Sequence, residues 1–341
     1  MKRPLLTCLL AAALCVRVSA AEPLATPGTA ARMEVAANAL LAALPPELKK
    51  KAAFGFDDPH RFGWFFTPQQ DKHRNYSRLG LPIKEMSAEH RKLAYELLRS
   101  AMSPSGFVQA SSVIQYEDIL KEQEMNGRMV RDTGWYFLSV FGTPAKTGSW
   151  GWRLEGHHLS LNFTVVDGKV ASAYPLFLGV NPAEIKTGTR TGFRLIREVE
   201  DNATALLKSL DAAQLKLAVQ AEHYPEVEEN TPLAKYPATV GLSASRLTQE
   251  QKKLLMALVQ SYADRMSPEL AATEMERVKA AGEDKLTFGI CGDPAPNKLC
   301  TYRISGPTFT IEFLRVQNDS LKNPGNHIHS VWRNLPKDFG Q

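Results

Sequence analysis

Four of the eight histidines in this 341-residue chain fall in two tight groups, His157-His158 and His327-Ile328-His329. Residues two apart on a β-strand point to the same face, so His327 and His329 can turn both imidazoles toward one cation. Neutral imidazole nitrogen is a good ligand for zinc, copper, iron and nickel. His157 and His158 are adjacent and cannot share a face of a regular strand. His158 runs in phase with Ser160 and Asn162 and is the expected third ligand, with His157 in a supporting place. A bulge at Gly156 would be a way to turn both inward. Glu312 runs in phase with Thr308 and Thr310 and alternates with Phe309, Ile311 and Phe313. A carboxylate in such company is costly to bury without a partner, so Glu312 is read as a fourth ligand or as the general base. Three protein ligands and one open position would let the ion bring a bound water to ionise near neutral pH. The alternative is a buried histidine–carboxylate network without metal.

Several polar residues flank the same strands. Asn162, Gln317 and Asn326 could orient a substrate or a ligand imidazole, and Arg333 could bind an anion or pair with an acid. Asp57-Asp58-Pro59-His60-Arg61-Phe62-Gly63-Trp64 could line a cleft or pack as a loop, with packing expected for Trp64. No phosphate-binding glycine loop, nucleophile elbow or thiol nucleophile stands out.

The elements that must position these residues repeat along the chain. Ala39-Leu40-Leu41 leading to Leu44 and Leu48 resembles Ala205-Leu206-Leu207 leading to Leu210 and Leu215. Met86-Ser87-Ala88-Glu89-His90 resembles Leu247-Thr248-Gln249-Glu250-Gln251, and Gly142-Thr143-Pro144-Ala145 resembles Gly292-Asp293-Pro294-Ala295. At that last offset, Trp152 to Gly156 faces Tyr302 to Gly306, and His158, Ser160 and Asn162 face Thr308, Thr310 and Glu312. Matches in one order suggest an internal duplication. Each unit reads as helices followed by strands, the second helix opening on Ser87 or Thr248 as a cap. Alternation of Leu159, Leu161 and Phe163 with Ser160, Asn162 and Thr164 marks a half-buried strand. The expected strands run 135–141, 151–166 and 169–177, then 285–291, 299–316 and 327–332. The predicted fold is α+β: two tandem units, about 33–180 and 197–335, in one domain spanning 33–341. Helices cover one face of a largely antiparallel sheet, and the strand sets meet about a pseudo-twofold with the site between the halves.

The first twenty residues read as a secretory signal peptide. Lys2 and Arg3 precede the apolar stretch Leu5 to Val16, and Val18-Ser19-Ala20 has the small residues of a cleavage site. Residues 21–32 are expected to be a flexible lead-in, and the mature protein periplasmic or secreted with no membrane span. Losing Lys2, Arg3 and Arg17 takes the 41 basic residues to 38 against 36 acidic, a net +2, which is no footprint for nucleic acid. Of the four cysteines, Cys291 and Cys300 remain; in an oxidising compartment a disulfide between them is expected. A pair of thiolate metal ligands suits their spacing poorly.

Gly156-His157-His158-Leu159-Ser160-Leu161-Asn162-Phe163-Thr164, Gly306-Pro307-Thr308-Phe309 with Ile311-Glu312, and Asn326-His327-Ile328-His329-Ser330-Val331-Trp332-Arg333 resemble the signatures of a family catalogued as domain of unknown function 3500. Phe141 to Pro144 and Asn181 to Ala183 fit as well, and the resemblance runs from about Met33 to Gly340. The sequence departs at Leu314-Arg315-Val316, where the family pattern is more polar. The resemblance implies no activity. From the residues, the expectation is an exported metalloenzyme, a hydrolase using metal-activated water, with zinc favoured and a small-molecule or extracellular substrate. A copper- or iron-dependent oxidoreductase and a non-catalytic metal- or ligand-binding protein are the alternatives. The lack of a cysteine or methionine beside the histidines argues mildly against a copper carrier.

Overall fold

The computed structural model describes residues 28–125, 127–232, 240–335 and 338–340. The expected signal peptide lies outside the described residues. Part of the expected lead-in is ordered: the first helix begins at Thr29, whose side chain is buried against Ser267 and Glu269.

Eight helices occur among the described residues: α1 (Thr29–Ala43), α2 (Pro46–Ala52), α3 (Ala88–Ala101), α4 (Pro104–Glu124), α5 (Arg197–Ser209), α6 (Ala212–Ala218), α7 (Gln249–Ala263) and α8 (Pro268–Gly282). Their starts follow from capping chemistry. Ser87 accepts from His90 N–H at α3, and Ser103 and Ser267 cap α4 and α8 with proline in the first turn. At α7 the reciprocal box is closed by Gln251. The amide there, not the acid one place earlier, has the reach to return to the cap.

The strands are β1 (Ala53–Phe54), β2 (Leu81–Pro82), β3 (Phe137–Phe141), β4 (Ser149–Gly156), β5 (Leu159–Val166), β6 (Lys169–Ser172), β7 (Leu176–Val180), β8 (Leu242–Ser243), β9 (Thr287–Gly292), β10 (Cys300–Ser305), β11 (Phe309–Gln317) and β12 (His327–Asn334). All twelve join one sheet, in the order β1-β3-β4-β5-β7-β12-β11-β10-β9-β8, with β2 on β3 and β6 on β5. Every pairing is antiparallel except β1 with β3. The fold is the predicted α+β class. The strands of the first unit meet those of the second through β7 and β12 at the centre of the sheet. Outward from that pair the order reads β5-β4-β3 on one side and β11-β10-β9 on the other.

The two faces of the sheet are covered differently. Trp152, Leu154, Leu161, Phe163, Ile311, Phe313 and Trp332 share one apolar core with helix residues such as Leu40, Leu97, Leu206 and Leu258. The opposite face carries a smaller cluster, Phe177, Leu314 and Val331 under Trp64, Phe66, Val227 and Phe339. These covering residues come from segments outside the helices and strands. Trp64 thus packs as expected, and Arg61 is buried too, its guanidinium over the Phe56 and Phe62 rings. This second face also holds buried ion pairs: Glu155 between Arg78 and Arg153, and Arg333 with Asp338.

The expected disulfide is absent. Cys291 and Cys300 are both free thiols. In the β9–β10 ladder Cys291 faces Thr301 and Cys300 faces Gly292. The two cysteines are therefore one step out of register, and strand alternation sends their side chains to opposite faces of the sheet.

Candidate metal centre

His327 and His329 stand two apart on β12, as their spacing demands, with their Nε2 atoms 3.0 Å apart. His158 completes the group. Its Nε2 lies 2.8 Å from that of His327 and 3.2 Å from that of His329. His158 arrives by a route different from the one expected. The predicted strand 151–166 is broken at His157-His158, which form the two-residue turn between β4 and β5. His158 takes the left-handed backbone conformation there, φ 62°, a region that histidine enters more readily than most residues. The turn is held from both sides: His158 N–H donates to Phe66 O, and Gly179 N–H donates to His158 O, each at 2.8 Å. Between Leu314 and Gln317 β11 takes three steps against two on β12 from His329 to His327, a bulge directly opposite the His327–His329 pair.

The room for three rings comes from Gly179 on β7, which pairs with His329. A Cβ at this position would sit 3.1 Å from His158 Cδ2, 3.2 Å from His329 Cδ2 and 2.8 Å from Ile328 O. An isolated glycine in an apolar strand is the sequence signal for such a close approach.

The convergence is chemical as well as spatial. A ring nitrogen has a single in-plane direction for a proton or a lone pair. Three such directions meeting in one place cannot all be met by hydrogen bonds among three neutral rings. Metal–nitrogen bonds of 2.0–2.1 Å in tetrahedral geometry require N···N separations of ~3.3 Å, close to those observed. The three imidazoles can therefore hold a metal ion. His158 and His329 are buried, and His327 is partly exposed. Burial, with the neighbouring imidazoles, holds the pKa of His158 and His327 well below the usual 6.5, which favours the neutral form a metal ion would require.

Two carboxylates tie the rings in place, and neither is Glu312. Glu226 Oε1 lies 2.9 Å from His329 Nδ1, and its Oε2 accepts from Gln317 Nε2 at 2.9 Å. A carboxylate at Nδ1 favours the tautomer with the proton on that nitrogen and leaves the Nε2 lone pair facing the other two rings. Glu117 on α4 lies 2.5 Å from His157 Nδ1, with Arg131 Nη1 3.0 Å from the same atom. Burial holds His157 below the usual imidazole pKa against the opposing pull of Glu117. His157 stacks on His158 with centroids 3.7 Å apart, and Phe66 meets His329 edge-on at 5.0 Å.

Of the other residues expected near the site, Gln317 is joined to it through Glu226. Glu312 is not brought to the imidazoles. It faces Arg303 across the β10–β11 pair and bonds it at 2.6 Å, so its burial is balanced by a guanidinium. Asn162 donates to Pro175 O and Ser160 Oγ farther down β5. Asn326 fastens the β11–β12 turn to Glu184 and Asp319. Arg333 binds Asp338 and the carbonyl of Thr231. Glu226, Glu117 and Arg131 were not legible in the sequence, because each reaches the rings from a remote segment.

The architecture and the cluster define a one-sheet α+β protein with a three-imidazole site at the junction of its two strand sets. The chain belongs to the family of proteins of unknown function DUF3500, whose pattern matches residues 26–341. No curated protein and no solved structure matches the chain.

Proposed function

We propose that His158, His327 and His329 bind one divalent transition metal, zinc in the favoured case, and that the protein is a metal-dependent hydrolase. The observation that carries this reading is the convergence of three Nε2 atoms within 3.2 Å of one another. Three neutral imidazoles leave the full charge of the ion available as a Lewis acid, and such a centre supplies activated water for attack on an electrophile. The partial exposure of His327 and of Glu226, whose side chain is 43% exposed, marks the side from which a substrate would approach. Glu226 holds His329 in the ligating tautomer, and Glu117 holds His157 against the back of His158.

Elemental analysis of the purified full-length protein tests the metal directly. One metal per chain is expected, lost in His327→Ala. Adding zinc to metal-free protein should raise the melting temperature, since a ligand at 100 times its Kd stabilises by about 2.7 kcal/mol. Metal-free protein that gains nothing from zinc, copper, iron, nickel or manganese would overturn the metal reading. The loaded protein is then assayed on ester, phosphodiester and peptide substrates. Redox activity with copper or iron instead of hydrolysis would overturn the zinc hydrolase and leave the metal site standing.

A further inference from the structure

α1 and α3 pack side by side, and a groove of about 730 Å³ runs along their junction. Val35, Ala36 and Ala39 of α1 and Leu93 of α3 form its apolar part. Val35 is 70% exposed. A lone exposed valine needs no explanation, but one set in an apolar groove belongs to a contiguous patch, and such patches mark interaction surfaces.

The second half of the chain supplies a comparison. α5 and α7 also pack side by side. The sequence matches that align Ala39 with Ala205 and Ser87 with Thr248 put Glu198 in the place of Arg32, Asp201 in that of Val35, Asn202 in that of Ala36 and Gln260 in that of Arg99. Glu198, Asn202 and Gln260 line the groove between α5 and α7, and the Asp201 side chain is 53% exposed. Two helices can therefore pair in this fold with a polar groove between them. Pairing does not require an apolar one, so the apolar groove of α1 and α3 answers to a contact made from outside.

The rim of the groove selects the partner. α1 carries Arg32 and Glu34, α3 carries Glu96 and Arg99, and Lys146 stands beside them. Arg99 is held at the rim over the Phe107 ring, 3.8 Å from its centroid. A rim of one sign would select a ligand of the other sign. A rim with both signs on each helix is complementary to itself, which is the requirement of a two-fold contact, where the same patch lies on both sides. We propose that the α1–α3 face is the interface of a homodimer, in which Val35 of each copy enters the groove of the other. The interface is on the helical side of the sheet and is independent of the metal reading.

Sedimentation velocity of the purified full-length protein over a range of concentrations tests this. A contact made by one pair of helices is at the small end of specific interfaces, so a reversible dimer that dissociates at micromolar concentration is expected. Val35→Asp, which installs the residue found at the matching place in the second half, buries a charge in each copy and should weaken the dimer by at least about a hundredfold. Its melting temperature at high dilution should equal that of wild type, because the side chain is exposed in the monomer. Ala39→Arg, which fills the groove, should act alike and serves if Val35→Asp does not fold. His327→Ala should dimerise as wild type does. A protein that stays monomeric at hundreds of micromolar, or a dimer that persists undiminished in both groove variants, would overturn the proposal. So would a monomer whose groove takes up a fluorescent fatty acid in wild type and not in Ala39→Arg, which would assign the groove to a small amphiphile.

Discussion

At the scale of single residues, the site depends on how each imidazole is held. His329 presents Nε2 to the other two rings because Glu226 Oε1 accepts a hydrogen bond at its Nδ1. Supporting carboxylates of this kind contribute about 10- to 100-fold to metal affinity. Glu226→Gln should therefore weaken zinc binding by that factor, measured by competition with a chromophoric chelator, and His329→Ala should weaken it much further. Equal affinity in wild type and Glu226→Gln would remove the assigned role of Glu226. A different histidine governs acid stability. His60 is packed against Arg153 and Ser139, and burial, with the charges of Arg153 and Arg78, lowers its pKa from 6.5 to about 3. Below pH 6.5 the unfolded chain takes up a proton that the folded chain refuses. The stabilisation is thus complete above pH 6.5 and is lost as the pH falls toward 3. The melting-temperature difference between wild type and His60→Gln should shrink over that range; a difference independent of pH would contradict it.

At the scale of elements, two strand-level facts decide what reaches what. Gly179 lets β7 and β12 close on the rings of His158 and His329. Gly179→Ala should therefore push the rings apart, with a loss of about 1–3 kcal/mol for an overpacked site and a larger proportional loss of metal affinity. Chemical denaturation and zinc titration measure the two. An alanine variant with native stability and affinity would show that β7 yields without cost. The second fact is the register of β9 and β10. Cys291 is partly exposed, while Cys300 is buried and its thiol is pushed up to about 12 by that burial. Iodoacetamide on the native protein should modify Cys291 and spare Cys300 until the chain is unfolded. Oxidation that joins the two with loss of two hydrogens, seen by mass spectrometry of native protein, would contradict the observed register.

At the scale of the whole molecule, the β7–β12 seam joins the two strand sets into one sheet and assembles the three imidazoles. His158 comes from the first half and His327 with His329 from the second. No local segment contains the site, so metal binding should vanish with global unfolding rather than before it. Zinc release followed alongside far-ultraviolet circular dichroism in urea should give one coincident transition. Release at lower urea than the loss of secondary structure would show that the seam opens independently. The same scale explains the covering of the sheet. Helices bury one face, and the segments carrying Trp64, Phe66 and Val227 bury the other. Glu226 adjoins Val227 in that second covering, which is how a residue 103 positions before His329 in sequence reaches it.

The sequence by itself determined the α+β class, the helix starts at Ser87 and Thr248, the alternation of β5, and the pairing of His327 with His329, because each follows from local periodicity or from a cap a few residues long. Its pairing of His158 with that group was right for a reason only the tertiary structure supplied, a turn in the left-handed conformation rather than a strand face. Glu312 reads in sequence as a carboxylate in need of a cation, and it has one in the guanidinium of Arg303; which cation answers a buried charge is a matter of cross-strand register. Register likewise separated Cys291 from Cys300, and chain packing brought Glu226 and Glu117 to the histidines. The four histidines were visible because their grouping is local. Their carboxylate supports were not, because contacts between remote segments leave no spacing to read.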